Sequence, residues 1–351
     1  MVDRVRLTPR DGDGGHGMLT LLVVIAIALA FDVTNGFHDS SNSIATLVTT
    51  RAATPAAAVT LAATCHVAGP FLLGTAVADT VGGIVEPDAT DVIALVGAAL
   101  TAALTWNLIT WSRGLPSSSS HALVGGLTGA ALADAGSSAV NWGGMDGIRP
   151  DGVLGVLFIL ALSPLVGAAA GLLMIRLGRW STRRAARRIA GPIRRAQWGT
   201  SAALALSHGG NDAQKTMGVI TLVLLAEGRL DQFVVPTWVK LAAAASMTLG
   251  TALGGWRIVR TIGRGITRLR SLDGLASQTA SASTIFGSAM IGAPVSTTHV
   301  VASSVVGVGL GRSWTHLRWT VVREMLMAWV LTLPACAAMG AVFDILWRRF
   351  T

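Results

Sequence analysis

Charge is scarce in this chain: only 13% of its 351 residues are Asp, Glu, Lys or Arg, against about a quarter in a soluble globular domain. Water is therefore not its main solvent. Cysteine is nearly missing, and Cys65 and Cys336 fall far apart inside apolar runs, so neither a disulfide framework nor a thiolate metal site is indicated. No Gly-X-Ser-X-Gly elbow occurs, which removes the usual setting of a hydrolase serine. No small-residue cleavage site follows the first apolar stretch, Met18 to Phe31, so that stretch reads as a retained span and not as a secretory signal.

What is abundant is apolar: 52% of the residues are hydrophobic. Long runs recur at residues 18–31, 56–78, 92–111, 121–135, 152–177, 216–226, 237–256, 299–310 and 325–347. Several reach the ~20 residues that cross a bilayer as a helix, and others do so with their small flanking residues, giving about ten spans. The expected fold is an all-α integral membrane protein, multi-pass in a cytoplasmic (cell) membrane.

The net charge of +9 does not point to nucleic acid, because the basic residues lie between apolar runs. Arg176, Arg179, Arg183, Arg184, Arg187, Arg188, Arg194 and Arg195 crowd one central segment. Arginine-rich short loops stay on the cytoplasmic side, which places this segment there. The clusters Arg257 to Arg270 and Arg312 to Arg323 fall on the same face if the intervening spans pair off. Arg4, Arg6 and Arg10 are diluted by Asp3, Asp11 and Asp13 and orient the N-terminus weakly. Trp106, Trp111, Trp180, Trp198, Trp238, Trp256 and Trp347 sit near span ends, where indole suits the interface.

Two motifs each occur twice. Asn35-Gly36-Phe37-His38-Asp39-Ser40-Ser41-Asn42-Ser43 is answered by His208-Gly209-Gly210-Asn211-Asp212-Ala213-Gln214-Lys215-Thr216. Gly114-Leu115-Pro116-Ser117-Ser118-Ser119-Ser120-His121 is answered by Gly292-Ala293-Pro294-Val295-Ser296-Thr297-Thr298-His299. The offsets, 173 from Asp39 to Asp212 and 178 from His121 to His299, fit one duplication. The divisions expected are an N-terminal segment 1–17, a first membrane repeat 18–177, an Arg-rich cytoplasmic linker 178–195 and a second repeat 196–351. About five spans per half would invert the second repeat and leave both termini outside. Inverted repeats hold their cargo at the shared midplane interface, on discontinuous helices or re-entrant hairpins whose broken ends face it.

A carboxylate at membrane depth is tolerated only in a protein interior or a wet cavity, so Asp39 and Asp212 are functional candidates by position. The Pro-plus-hydroxyl blocks read as helix starts, whose free N–H groups and positive dipole end attract an anion. Ser118, Ser119, Ser120, Ser296, Thr297 and Thr298 add hydroxyl donors, and Lys215 is the strong cation of these motifs. A tetrahedral oxyanion fits this donor set. Carboxylates beside it require a companion cation, which couples the two fluxes. Each charge moved is worth ~2.3 kcal/mol per 100 mV.

These blocks, with Gly255-Trp256-Arg257-Ile258-Val259-Arg260-Thr261 and Thr279-Ala280-Ser281-Ala282, resemble the PiT family of inorganic phosphate transporters over about Phe31 to Gly309. The resemblance implies an inverted-repeat helical fold and low-affinity phosphate symport. It implies phosphate binding at the hydroxyl residues named above with Asn211 and Lys215, and cation or proton coupling at Asp39, Asp212, His38 and Asn42. Asp39 and Asp212 are also the residues a divalent metal would use. Sodium-coupled relatives read Gly-Ala-Asn-Asp-Val-Ala-Asn in both copies. Here Phe37 and His38 alter the first copy and Lys215 the second. An ammonium can stand where sodium would, and a His beside an Asp can carry a proton near neutral pH. The pattern is similar to the proton-coupled bacterial branch that carries neutral metal-phosphate complexes, with sodium coupling as the alternative. No resident cofactor is implied; the co-ion is H⁺ or Na⁺. The expected partners are phosphate and lipid, and the sequence is compatible with a homodimer and with an accessory regulator.

Plainer readings stand beside these. Asp39 and Asp212 could be structural carboxylates, capping a helix or paired with Lys215, and the serine runs could be caps without a ligand. His38 could simply bond a backbone group, while His121 and His299 suit packing between helices. Asp32 has no counterpart in the other half and sits about two turns before Asp39. Gly125-Gly126 reads as a close helix contact, and Glu86, Asp88 and Asp91 as loop residues. Sulfate or arsenate is a rival cargo, and an intramembrane hydrolase with a hydroxyl nucleophile a rival class.

Overall fold

A computed structural model describes residues 14–85, 91–184 and 189–351. Arg4, Arg6, Arg10, Glu86, Asp88, Arg187 and Arg188 lie outside the described residues. The first half runs α1 (Gly14–Thr49), α2 (Pro55–Leu72), α3 (Ala76–Gly82), α4 (Val92–Ser112), α5 (Ser119–Ala135) and α6 (Gly152–Thr182). The second half repeats that order with α7 (Ala190–Ala226), α8 (Thr237–Leu253), α9 (Trp256–Arg260), α10 (Ser271–Met290), α11 (Thr297–Leu310) and α12 (Trp319–Trp347). One feature falls outside the all-helical expectation: a two-stranded antiparallel hairpin, Gly144–Asp146 with Arg149–Asp151, ahead of α6.

Local chemistry sets the helix ends. Thr54 caps α2, its hydroxyl accepting from the Ala57 amide, with Pro55 at the first helical position, where a missing N–H costs nothing. Asp91 caps α4 through the Ala94 amide, giving this loop residue a definite task. The Arg-rich linker is shorter than expected, because α6 continues to Thr182 and α7 begins at Ala190. Arginine is a good helix former, so the basic ends simply prolong the helices.

The halves exchange partners. α6 packs on α11 and α12 on α5, while α1 packs on α8 and α2 on α7. Small residues allow this: a Cβ on Gly129 would stand 2.0 Å from the Ala337 carbonyl oxygen, and one on Gly307 would stand 2.0 Å from that of Ala168. Backbone-to-backbone approach of this kind replaces the hydrophobic effect as the cohesive force between helices in lipid. α1 and α7 lie against each other in opposite directions. Thr50 on α1 meets Gln197 on α7 (2.7 Å), Ser201 donates to the Ser43 carbonyl (2.8 Å), and Asp39 meets Asp212, so the α1 number falls as the α7 number rises.

Five described helices are long and apolar enough to cross a membrane: residues 17–49, 55–72, 92–112, 152–182 and 319–347. α5 and α11, of 17 and 14 residues, start inside the protein. α7 is ~55 Å long but carries His208, Asn211, Asp212, Gln214 and Lys215 along its buried length. Polar groups are thus inside, while α6 and α12 turn Phe158, Leu165, Met327 and Val330 outward.

The three basic clusters meet at one end. Arg179 donates to the Gly311 carbonyl (2.6 Å), Arg312 to the Arg268 carbonyl and to Asp273 (2.9 Å each), and Arg318 to the Arg264 carbonyl (3.3 Å).

The Gly129→Ala and Gly307→Ala variants should each lower stability in detergent by about 1–3 kcal/mol through overpacking. Gly287→Ala, where an added Cβ meets nothing within 4 Å, should leave it unchanged or raised. Equal melting temperatures for all three, read by thermal unfolding of the solubilised proteins, would contradict the exchanged-helix packing.

Candidate functional site

The two hydroxyl motifs form helix N-termini as expected. Gly114 (φ 66°) and Gly292 (φ 74°) adopt the left-handed backbone that reverses the chain. Ser118 then caps α5 by accepting from the His121 amide (3.2 Å), and Ser296 caps α11 by accepting from the His299 amide (3.2 Å). The first amides of each helix have no intrahelical acceptor, so both tips face the interior as donors. Ser120 donates to the Val295 carbonyl (3.1 Å), tying one tip to the other.

The aspartate motifs lie within unbroken helices, α1 and α7, whereas the hydroxyl motifs follow breaks at the Gly-X-Pro segments before α5 and α11. Within α7 the carboxylate of Asp212 finds partners at helical spacing. Lys215 pairs with Asp212 Oδ1 three residues back (2.5 Å), and His208 Nε2 approaches Asp212 Oδ2 from four residues back (2.9 Å). No carbonyl need leave the helical ladder.

The carboxylates converge on the tips. Asp39 Oδ1 accepts from the Thr298 hydroxyl (2.8 Å) and contacts His38 Nδ1 (2.9 Å), and Asp39 Oδ2 accepts from Ser119 (3.4 Å). Asp212 Oδ2 accepts from Thr297 (3.0 Å). Asn42, which occupies in α1 the position of Lys215 in α7, donates to Thr298 (3.2 Å). One oxygen from each aspartate and one ring nitrogen of His208 lie within 4.8 Å of each other. All these residues are buried.

Of the sequence candidates, Asp39, Asp212, Ser119, Thr297, Thr298, Asn42, His38 and Lys215 share this buried cluster. The oxygens of Ser118 and Ser296 are committed to capping, and the Asn211 amide donates to the Ala293 carbonyl (3.4 Å) beside the α11 tip. The His121 and His299 rings are tilted against each other with centroids 4.6 Å apart, and His299 stacks on the Trp329 ring at 4.0 Å. Asp32 is buried, and among the described residues neither of its oxygens has a hydrogen-bond partner. Sequence reasoning missed His208 as a site residue, although its i,i+4 spacing to Asp212 was a usable signal. It also missed His66 on α2, which belongs to no motif and bonds His208 (3.0 Å).

The charge balance is uneven. Two carboxylates face one ammonium, and among the described residues Asp39, with the neutral Asn42 where α7 has Lys215, has no Lys or Arg partner. Such an arrangement is chemically suited to a cation on the carboxylates and an anion at the helix tips.

A family model described as the phosphate transporter family matches residues 35–191 and 181–340. The chain belongs to the phosphate transporter family. It is 41% identical over 325 residues to a probable low-affinity inorganic phosphate transporter of Rhizobium meliloti (strain 1021), covering 92% of this chain and 95% of the relative. A relative of the same description from Bacillus subtilis (strain 168) is 41% identical over 331 residues, covering 93% and 96%. A solved structure titled the sodium-dependent phosphate transporter superposes with a TM-score of 0.82 at 24% identity, covering 95% of this chain and all of that one. That likeness carries the helical fold. As a phosphate transporter family member the chain is a multi-pass membrane transporter and not an enzyme, and the hydrolase reading falls.

Lys215→Met should destabilise the solubilised transporter by about 3–5 kcal/mol, since it strips a buried carboxylate of its partner. Adding Asp212→Asn should recover part of that loss. A melting temperature unchanged by Lys215→Met would contradict the buried pair.

Proposed function

We propose that this transporter imports inorganic phosphate across the cytoplasmic membrane as a low-affinity symporter driven by protons, and that it carries phosphate with a divalent metal. The observation that carries the reading is the meeting of Asp39 and Asp212, at matching positions in the two halves, beneath the N-terminal tips of α5 and α11. The names of the relatives from Rhizobium meliloti and Bacillus subtilis support both the cargo and its low affinity.

Residues 18–177 and 196–351 act as repeats of opposite membrane orientation, joined through the cytoplasmic stretch 178–195. The antiparallel run of α1 against α7 supports this, as does the exchange of α6 and α12 between halves. Alternating access then rocks the halves about a shared central site.

Coupling follows from where the hydroxyl protons point. Ser119, Thr297 and Thr298 donate to the carboxylates. A proton or metal on Asp39 and Asp212 takes those oxygens and frees the hydroxyls to turn toward an anion. Phosphate is then held by the freed hydroxyls, the tip amides, Asn211 and Lys215, and it binds well only after the cation. His38, between Asp39 and the Thr110 and Ser117 hydroxyls (3.3 Å each), passes the proton.

One observation favours sodium as the alternative co-ion. Asn42 Oδ1 is buried without a hydrogen-bond partner among the described residues, and a carbonyl-type oxygen beside Asp39 is a hard-cation ligand.

In proteoliposomes, Asp39→Asn and Asp212→Asn should each cut labelled phosphate uptake to background while inserting normally. Wild-type uptake in sodium-free medium should rise with an inward proton gradient and collapse with a protonophore, and labelled phosphate should exchange with arsenate but poorly with sulfate. Full transport by either variant would refute the shared site, and strict sodium dependence would move the coupling to sodium.

A further inference from the structure

The polar seam between α1 and α7 is closed at one end and open at the other. On the side of the basic clusters it is tied by hydrogen bonds: Thr50 donates to Gln197 (2.7 Å), Ser201 to the Ser43 carbonyl (2.8 Å), and Gln278 of α10 to Thr46 (2.9 Å). Past Asp39 and Asp212 the seam continues toward the start of α1 and the end of α7. There, neither oxygen of Asp32, neither amide atom of Asn35 nor the Thr216 hydroxyl has an aligned hydrogen-bond partner among the described residues, although all three side chains are buried. Protein interiors rarely leave polar atoms in this state unless they serve an ion, water or a reacting group.

Asp32 is the charged member of this set, and the aspartate site described above leaves it unused. Seven residues separate it from Asp39, so the two share one face of α1 about two turns, or ~10 Å, apart. The Thr216 hydroxyl faces the Asp32 carboxyl from α7, where Asp212 and Lys215 are within electrostatic reach. Lys215 is already bonded to Asp212. Of the other helices packed on α1, α4 carries no titratable side chain, and α8 carries Lys240 alone, half-buried near its start. His66 of α2 meets α1 at Ser43, on the far side of Asp39. A hard metal cation asks for about six oxygens, and one hydroxyl beside one carboxyl does not provide them. A proton neutralises a buried carboxylate with no ligand shell at all.

We infer that Asp32 is the proton-loading carboxyl of the uptake cycle, met before Asp39 and Asp212 by a proton moving inward, and that Thr216 relays its proton to them. This rests on the proton-coupled reading and on the topology proposed above, in which α1 enters from the outer side. A proton from the outer medium converts the Asp32 carboxylate to the neutral acid. The acid gives that proton to the Thr216 oxygen as the Thr216 hydroxyl proton passes to Asp212, one helical turn back on α7. Asp32 is left ionised for the next proton, and Thr216 is unchanged. Asp32 stands away from the helix tips, so holding phosphate does not require it.

Asp32→Asn keeps the shape and removes the proton site. In proteoliposomes this variant should lose phosphate accumulation driven by an inward proton gradient while keeping labelled-phosphate counterflow, which moves no net proton. Thr216→Val should slow driven uptake and leave counterflow unchanged. Infrared difference spectra of the purified transporter, taken between two pH values, should show a protonated-carboxyl C=O band that Asp32→Asn removes. Driven uptake by Asp32→Asn equal to wild type, loss of its counterflow in an inserted protein, or an unchanged band would overturn the inference. If Asp32→Asn fails to insert, Thr216→Val decides, and wild-type driven uptake by that variant overturns the relay. Wild-type uptake indifferent to a protonophore would remove the proton-coupled reading and this inference together. Proton-driven wild-type uptake with an equally driven Asp32→Asn would remove the loading role alone.

Discussion

The structure depends on keeping two carboxylates inside a protein whose surroundings are hydrocarbon. Asp39 and Asp212 meet at one chamber, and neither could persist there without partners, because an unpaired buried charge costs several kcal/mol or more. The molecule answers with one ammonium, three hydroxyl donors and two helix tips aimed at the same point. One ammonium for two carboxylates leaves a charge deficit, which is what motivates the proposed companion cation.

Holding that chamber together falls to the small residues. Lipid offers no hydrophobic drive between helices, so cohesion depends on backbone approach. Gly129 against Ala337 and Gly307 against Ala168 supply it at matching places. These contacts cross between the halves, so the packing of α5 and of α11 draws on both.

The sequence carried much of this. Low charge and long apolar runs gave a helical membrane protein, and the twin motifs gave the duplication, both aspartates and the hydroxyl tips. The broken helices were legible only in part. Gly-X-Pro marked the breaks before α5 and α11, while the polar blocks of α1 and α7 are continuous helix. An i,i+3 ion pair and an i,i+4 histidine contact let α7 absorb them. Five described helices are long and apolar enough to cross a membrane, while α5 and α11 are short and begin inside the protein.

Composition and repetition are local properties, so the sequence by itself determined the solvent, the helices, the duplication and the residues able to bind ions. Pairing is not local. That Asn42 rests on Thr298, that His66 on α2 meets His208 on α7, and that α12 packs on α5 depend on which helices touch. Only the tertiary structure decided those contacts, because they join residues more than a hundred positions apart, and nothing in either neighbourhood encodes the other.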